Sequence, residues 1–597
     1  MRPVLLFVLL LTTLLPAVAA APPAADLEAR RKGLNDLLAE QWEYALKTNP
    51  EYATILGDKR YNDQLTDASL KAVLDDLEVS RKFLARFEAV DTTGFPEQEK
   101  LNKALMVRDL EEQLAFASFK EWEMPVNQMS GPHLQIPQLV AMLPFTNVKD
   151  YEDYIARLRK FPKLLDDTTD NMRRGMADHL MPPRFLLEKV ATQSDNIVSA
   201  DVEKSPFAQP LSKFPDSISE ADRKRLHDAT IAAIRESINP AYTKFAKFVR
   251  EEYAPKGRTE AGIWSLPDGT ARYAAMVRRS TTTDLTPEEI HQLGLKQVAE
   301  LEAQMLAIAQ KLGYKDLKTL NADIEKNPKL RAHSRQQILD LYRSYTDTMW
   351  AQLPTAFGRL PKAKLEVMPI EEFREKEAAT HYNQGTPDGS RPGHVMVNTG
   401  DFEHRKLISI ESTAYHEGVP GHHMQISIAQ ELPELPPFRQ QEFYGAYTEG
   451  WALYCEKLGK EMGFYKDPYS DYGRLQDEML RAIRLVVDTG FHSKHWTREQ
   501  VVDYFHAHSA IDEPEVQSET DRYIAWPAQA LSYKIGQLKI LELRERTRKQ
   551  MGDKFDLRAF HDQVLGAGAL PLNVLETRMD EWVIAQKAGT GGAAVSK

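Results

Sequence analysis

The stretch that decides the fold class is Thr286-Pro-Glu-Glu-Ile-His-Gln-Leu-Gly-Leu-Lys-Gln-Val-Ala-Glu-Leu-Glu-Ala-Gln-Met-Leu-Ala-Ile-Ala-Gln-Lys-Leu312. Its apolar residues recur three and four positions apart, which is the period of a helix that buries one face. Thr286 is suited to cap the first turn, and Pro287 with the two acids behind it is typical of first helical positions. The stretch therefore predicts a long amphipathic α-helix.

The same spacing recurs along most of the chain. The other stretches of helical length are Asp26–Lys47, Ala68–Ala89, Tyr151–Ala177, Glu220–Tyr253, Ser334–Leu353 and Leu475–Val487. The clearest strand signal is a β-favouring run bounded by Gly and Asn, Pro392–Asn398. We therefore expect a large, mainly α fold of two helical lobes with one small β element. Because no clear linker interrupts residues 20–587, they are predicted to form a single domain, and the Gly/Ala-rich segment 588–597 is predicted to be a disordered tail.

The first residues have the pattern of a secretion signal. Arg2 precedes an apolar run, Val4–Leu15, and Ala17-Val-Ala19 supplies the small residues that a signal peptidase recognises. Residues 1–19 are therefore predicted to be a signal peptide, removed from an exported chain that has no stable membrane insertion. The single cysteine, Cys455, excludes an intramolecular disulfide, which favours a bacterial periplasm over an animal extracellular space.

The net charge and the composition limit the kinds of partner that the protein is expected to bind. The 597-residue chain has a formal net charge of −11, whereas binding to a phosphate backbone needs clustered Lys and Arg. Nucleic acid is therefore not expected as a partner. With 42% hydrophobic residues the chain can bury a large core, in which Cys455 is expected to be packed as a small hydrophobe.

A metal-binding pattern lies in the segment His416-Glu-Gly-Val-Pro-Gly-His-His423. The common zinc signature is H-E-x-x-H on one helix, with both His as ligands and the Glu as general base. Here the next histidines follow His416 at +6 and +7 rather than at +4. We predict that His416 and one of His422 and His423 bind Zn2+, with Glu417 as the base.

The stretched spacing requires a break in the helix. Position +7 returns to the same helix face but lies about 10.5 Å along the axis, too far for two ligands whose bonds to zinc are about 2.0–2.1 Å long. Pro420 removes a helical N–H group, and Gly418 and Gly421 permit unusual dihedral angles. We prefer His423 to His422 as the ligand, because removing three residues restores the common signature.

A third ligand is expected from Thr448-Glu-Gly-Trp451, which begins an apolar helical stretch, with Glu449 26 residues after His423. Glu449 is the predicted ligand, since catalytic zinc sites use three protein ligands and keep one position for water. Glu456, two turns later on the same face, is either a competing ligand or an outer partner of the ligands.

Four blocks of sequence together resemble the DUF885 family. They are Tyr415-His-Glu-Gly-Val-Pro-Gly-His-His-Met-Gln425, Thr448-Glu-Gly-Trp-Ala-Leu-Tyr454, Val487-Asp-Thr-Gly-Phe-His492 and Arg522-Tyr-Ile-Ala-Trp-Pro527. The family is similar to the mostly helical zinc peptidases of the angiotensin-converting enzyme, M3 and M32 types, which have a deep central channel between two helical lobes. The resemblance implies the same ligands and the same base, namely His416, one of His422 and His423, Glu449, and Glu417.

The resemblance also indicates residues that act on the transition state. In the converting-enzyme type a downstream His and Tyr stabilise the oxyanion beside the metal. His492, which follows a predicted turn at Asp488-Thr-Gly490, and Tyr523 are the similar candidates, and Tyr533 is an alternative. A capping His and core aromatics are the competing interpretation.

Substrate binding is predicted at two places. In related zinc peptidases an edge strand beside the metal helix pairs with the substrate backbone, so the strand with Val395 and Val397 is a candidate, with a small structural hairpin as the alternative. The cations available for a substrate carboxylate are Arg522, Arg481 and Arg484, although ion pairs on a helix surface would explain them equally well. Tyr533 is predicted to bind substrate together with Arg522.

The leading hypothesis is a periplasmic zinc metallopeptidase that cleaves short peptides in an enclosed channel. A zinc hydrolase of a non-peptide amide or ester is the second hypothesis. The third hypothesis is a non-catalytic binding protein on the same fold. The presence of Glu417 argues against it, because this residue is expected to act as a base and not as a metal ligand, and a binding protein does not need a base. The oligomeric state is left open.

Overall fold

The computed structural model describes residues 24–370, 372, 375 and 378–589. Within them the protein is mainly α with one small sheet, as the sequence predicts. The predicted signal peptide, 1–19, and residues 590–597 of the predicted tail lie outside the described residues. None of the helices in the described ranges is long and apolar enough to cross a membrane.

The first half of the chain is helical. Its helices are α1 (Ala24–Thr48), α2 (Pro50–Ile55), α3 (Leu70–Glu88), α4 (Glu97–Phe116), α5 (Pro132–Leu139), α6 (Val148–Ala177), α7 (Arg184–Ile197), α8 (Glu220–Ala233), α9 (Asn239–Phe248) and α10 (Gly269–Thr281). Helices α5 to α9 share one hydrophobic core, and α1, α3 and α4 share a smaller one.

The second half contains the sheet and the four sequence blocks quoted above. Its elements are α11 (Pro287–Lys311), α12 (Leu317–Lys326), α13 (Arg335–Ala356), β1 (Leu365–Pro369), β2 (His381–Asn383), β3 (Gly393–Val397), α14 (Ile410–Glu417), α15 (His422–Gln430), α16 (Pro437–Gln440), α17 (Gly445–Glu461), α18 (Pro468–Ser493), α19 (Arg498–His508), α20 (Glu513–Ala525), α21 (Leu531–Met551), α22 (Leu557–Leu565) and α23 (Leu572–Lys587). The long helices α17, α18 and α21 pack on one another and position the elements around them.

The stretch from Thr286 forms α11, and its start is a capping box. The Thr286 hydroxyl accepts the Glu289 N–H (3.2 Å), and the Glu289 carboxylate accepts the Thr286 N–H (2.8 Å). Helix α11 packs along α18, in a core shared with α19 and α20. The other predicted helical stretches fall in α1, α3, α6, α8 with α9, α13 and α18, which confirms the helical pattern.

The strands form one sheet in the order β1-β3-β2. Strand β3 pairs in parallel with β1 and antiparallel with β2, so both of its edges are occupied. The prediction that this strand is an edge that pairs with substrate is therefore wrong. Val395 and Val397 are fully buried and pack in one cluster with Ile410 and Ala414 of α14. They hold the sheet against the helix that carries His416, and they are not substrate-binding residues.

Two glycines allow α17 and α21 to cross at close range. A Cβ atom on Gly536 would overlap the carbonyl oxygen of Ala446, and one on Gly450 would overlap the backbone of Gly536. The two helices therefore meet backbone to backbone. Since α17 also carries Glu449, this crossing helps to fix the position of that carboxylate.

We expect Gly536→Ala to lower the free energy of unfolding by about 1–3 kcal/mol, because the added methyl group pushes α17 and α21 apart. Chemical denaturation followed by circular dichroism measures the change. Gly33→Ala is the control: Gly33 lies inside α1 with no atom within 4 Å of an added Cβ, so this change should stabilise by up to about 1 kcal/mol. Equal midpoints for the two variants would contradict the close crossing.

Candidate metal centre

The segment from His416 to His423 folds as two helices with a break between them. Helix α14 ends at Glu417 and α15 begins at His422, as the inserted Pro and Gly residues predict. The chain turns so tightly that a Cβ atom on Gly421 would overlap the carbonyl oxygen of His416. Only glycine fits at this position without a shift of the backbone.

The loop between the two helices is anchored to α17. The carbonyl oxygen of Pro420 accepts hydrogen bonds from the Trp451 indole N–H (2.9 Å) and the Cys455 thiol (3.3 Å). Both side chains are fully buried, and burial raises the pKa of the Cys455 thiol well above its usual value. The cysteine is thus a packed group, as predicted. Because Glu449 lies on the same helix, the anchor brings α15 and Glu449 together.

The break places His416, His422 and Glu449 side by side. The Nε2 atoms of His416 and His422 lie 3.5 Å and 3.4 Å from the same oxygen, Oε2 of Glu449. The two imidazole rings are buried and meet edge to face, with 4.8 Å between their centroids. We call these three residues the metal cluster.

The two distances to Oε2 of Glu449 are those expected between ligands of one metal ion. Zinc bonds to His and carboxylate ligands are about 2.0–2.2 Å long, so tetrahedrally arranged ligand atoms lie about 3.3–3.5 Å apart. Oε2 of Glu449 is buried and lacks a hydrogen-bond partner among the described residues, although a buried carboxylate oxygen needs one. Two imidazoles and one carboxylate form a donor set for zinc that leaves a position for water.

Acidic groups favour positive charge at His416. Its Nδ1 lies 2.8 Å from Oε1 of Glu456, which orients the ring so that Nε2 faces Glu449. Burial lowers the pKa of His416, but the neighbouring carboxylates of Glu449 and Glu456 outweigh burial and raise the pKa to about 10. Burial opposes ionisation of Glu449 as well, yet His422 and His416 hold the pKa of Glu449 well below its usual range. The same charges that hold a proton here would favour a metal cation.

Glu417 directly follows His416 and ends α14. Its side chain is half-buried, and it makes no hydrogen bond or ion pair with the other residues that the structure describes. An accessible, unpaired carboxylate beside a cation site is suited to take a proton from a water molecule there.

His423 lies outside the metal cluster, so the preference for His423 over His422 is wrong. Its Nδ1 pairs with the Tyr382 hydroxyl (3.0 Å) and its Nε2 with the Ala363 carbonyl (3.2 Å). The preference assumed the register of the common signature, whereas α15 begins anew at His422 and the next residue is turned by about 100°. Burial lowers the pKa of His423 to about 4, so this ring is neutral.

His492, predicted to stabilise the oxyanion, lies in the core. The segment Asp488-Thr-Gly490 is not a turn but part of α18. The Nδ1 atom of His492 accepts the Ile263 N–H (3.0 Å), and Nε2 faces the Tyr523 carbonyl oxygen (2.9 Å). Because backbone groups occupy both ring nitrogens, the catalytic assignment of His492 is wrong.

Tyr523, Arg522 and Tyr533 meet in a group with Arg484 and Glu519, which we call the arginine cluster. The Tyr523 hydroxyl donates to Glu519 and accepts from Nε of Arg484 (3.0 Å). Its proton is therefore engaged by Glu519 and is not available to stabilise an oxyanion, the role predicted for Tyr523. The predicted substrate residues Arg522 and Tyr533 are in contact, with 3.1 Å between Nη2 and the hydroxyl. Sequence analysis misses Glu519, because a lone acid in an amphipathic helix has no distinguishing pattern.

A family model described as "Bacterial protein of unknown function (DUF885)" matches residues 50–579. The crystal structure of a "putative lipoprotein" from Colwellia psychrerythraea is similar over 93% of this chain and 99% of that chain, with a TM-score of 0.89 and 31% identity. The structure of a second protein described in this way, of unknown function and from Shewanella oneidensis, matches over 93% and 100% of the two chains with a TM-score of 0.68 and 17% identity, which shows the same fold. No curated protein matches the chain.

We expect the His416 imidazole to remain protonated at pH 8 in metal-free protein, because Glu449 and Glu456 outweigh burial and raise its pKa to about 10. NMR titration of histidine-labelled protein measures this pKa. Since the folded pKa lies above the ordinary 6.5, the stability that the charged ring contributes is complete below about pH 6.5 and is lost as the pH rises towards 10. Glu456→Gln should lower the pKa, and the exposed control Glu434→Gln should leave it unchanged. Titration near 6.5 in the unaltered protein would contradict the charge arrangement.

Proposed function

This chain belongs to the DUF885 family, and from that premise we propose that it is a zinc-dependent hydrolase with His416, His422 and Glu449 as ligands. One observation carries the proposal: Oε2 of Glu449 lies 3.5 Å and 3.4 Å from the Nε2 atoms of two buried histidines. That spacing is the ligand–ligand distance of a tetrahedral zinc site. Structural zinc sites have four protein ligands, whereas three protein ligands with an open position are typical of catalytic ones.

Glu417 has the position and the freedom of a general base. A bound zinc ion supplies Lewis-acid activation of water and of a substrate carbonyl group. Glu417 adjoins the ligand His416 and is unpaired among the described residues, so its carboxylate can accept the proton of the attacking water and deliver it to the leaving amine. Glu456 keeps the His416 ring in place while this proton moves.

Short peptides are the proposed substrates. A cavity of about 1280 Å³ lies between the N-terminal helices and α17, and Gly445 is among the residues that line it. Gly445 precedes Glu449 by four residues, or about 6 Å along α17. None of the three residues of the metal cluster lines this cavity, so only an extended ligand could occupy both the cavity and the metal cluster. A peptide chain has that shape and a size that the cavity accommodates.

Zinc analysis combined with a scan of peptide libraries tests the proposal. Cleavage of short peptides that depends on zinc supports it. Cleavage of esters or non-peptide amides alone would favour the second hypothesis of the sequence analysis, and zinc binding without any turnover would favour a binding protein. A purified protein that takes up no zinc would overturn the ligand assignment. The lipoprotein description of the two similar structures supports a proposed location outside the cytoplasm.

We expect about one zinc ion per chain, lost in His422→Ala and Glu449→Ala but retained in His423→Ala. His423 is the matched control, because it is a buried histidine one residue away whose ring nitrogens face Tyr382 and Ala363. Inductively coupled plasma mass spectrometry after dialysis measures the metal content. Full zinc in His422→Ala, or loss in His423→Ala alone, would reverse the assignment of the second ligand.

We expect Glu417→Gln to retain zinc and the fold while kcat falls by about 100-fold or more, because an amide cannot accept a proton from water. Turnover of a peptide substrate, zinc content and the circular dichroism spectrum are measured on the same preparation. Glu403→Gln, which alters an exposed acid, is the control. A Glu417→Gln enzyme with the turnover of the control would exclude Glu417 as the base.

A further inference from the structure

The arginine cluster lies where three helices converge. Arg484 comes from α18, Glu519 and Arg522 from α20, and Tyr533 from α21. Glu519 accepts from Nε and Nη2 of Arg484 (3.1 and 2.8 Å) and from Nη1 of Arg522 (3.2 Å). Thus one carboxylate is shared between two guanidinium groups, and the group as a whole has one more cation than anions.

Several donors in the arginine cluster are unused. Nη1 of Arg484 and Nε of Arg522 are buried and have no hydrogen-bond partner in the described part of the chain. Arg484 is only 4% exposed, and because its Nε and Nη2 both face Glu519, Nη1 lies on the other edge of the planar guanidinium group. The Tyr533 hydroxyl accepts from Arg522 and makes no donation to a described residue. Buried guanidinium donors without partners are costly unless a ligand completes them.

We propose that the arginine cluster binds a carboxylate of the peptide substrate, with Arg484, Arg522 and Tyr533 as the donors. Two guanidinium groups and a phenol form charge-assisted hydrogen bonds with a carboxylate, the planar anion that an arginine fork fits best. The ring of Tyr533 lies against Arg484, with 4.6 Å between the guanidinium carbon and the ring centroid, so that the guanidinium plane is held in place. This inference rests on the proposed peptidase function.

Helix α18 links the arginine cluster to the helix that carries His416. Asp477 of α18 accepts a hydrogen bond from Ser412, which lies one turn before His416 on α14. Arg484 follows Asp477 by seven residues on the same helix face, or about 10.5 Å. Both the arginine cluster and the helix that carries His416 therefore contact α18.

One side chain of the arginine cluster contacts a residue that lines two cavities. Nη2 of Arg522 donates to Oε1 of Gln529 (2.8 Å). Gln529 lines both the cavity of about 1280 Å³ and a second cavity of about 530 Å³. Gln529 thus connects Arg522 with the lining of both cavities, and the terminal α-carboxylate of a short peptide is the carboxylate that we favour.

The test compares one peptide sequence in three forms: a free C-terminal acid, the C-terminal amide, and the amide with a terminal Asp. We expect the wild-type enzyme to prefer the free acid over the amide by about 10- to 100-fold in kcat/KM. Arg522→Gln and Tyr533→Phe should reduce this preference, mainly through the KM of the free acid, and Arg522→Lys should restore part of it. Glu519 keeps its bonds to Arg484 in these variants, so the local fold is retained.

Tyr472→Phe is the matched control, since it removes a hydroxyl from α18 that binds Asn321 rather than the arginine cluster. It should leave the preference for the free acid unchanged. Equal kcat/KM for acid and amide in the wild type, or a preference that survives Arg522→Gln, would overturn the proposal. If the terminal-Asp amide has the same kcat/KM as the free acid, the carboxylate site is supported. The carboxylate that it binds would then be one that a side chain can also provide.

Calorimetric binding of the acid and amide peptides separates this proposal from the proposed function. Suppose that no peptide is cleaved, but the free acid binds more tightly than the amide and Arg522→Gln removes the difference. That result would support the carboxylate site and contradict the proposed hydrolase activity. If peptides are cleaved and neither kinetics nor binding distinguishes acid from amide, the hydrolase activity is supported and the carboxylate site is contradicted.

Discussion

The hydrogen bond between the Trp451 indole and the Pro420 carbonyl is the interaction on which the candidate site depends. It fixes the loop that separates α14 from α15, and it does so from the helix that carries Glu449. The crossing of α17 with α21 restrains the same helix at Gly450. All three residues of the metal cluster therefore lie on packed helices rather than on a free loop, which is how a site keeps its geometry before a ligand arrives.

The buried charges around His416 have opposing effects on folding and on binding. Removing His416, Glu449 and Glu456 from water is costly, and only their mutual contacts offset that cost. A metal cation would meet the same negative charges as the proton on His416, so proton and metal compete for the site. A preference of the site for a cation and a low intrinsic stability of the empty cluster would thus have one physical origin.

The sequence predicts the helices well because the helical spacing of apolar residues extends over many positions, as α11 and its capping box show. It also predicts the break after Glu417, since Pro420 and Gly421 cannot continue a helix in this conformation. It does not predict which histidine faces Glu449, because a break resets the helical register. Nor does it reveal that β3 is central, since strand order depends on contacts across the sheet. The local pattern around Gly490 suggested a turn, but tertiary packing keeps this residue within α18.

The thiol of Cys455 has a practical consequence for spectroscopy. It is the single cysteine of the chain, it is fully buried beneath the loop, and its ionisation is suppressed by burial. Since alkylating reagents attack exposed thiolates, the folded protein should give almost no background with maleimide dyes or spin labels. One or two cysteines introduced on exposed helices would then carry probes at known positions, and distances across the molecule could be followed while ligands are added, with the native sulfur left in place.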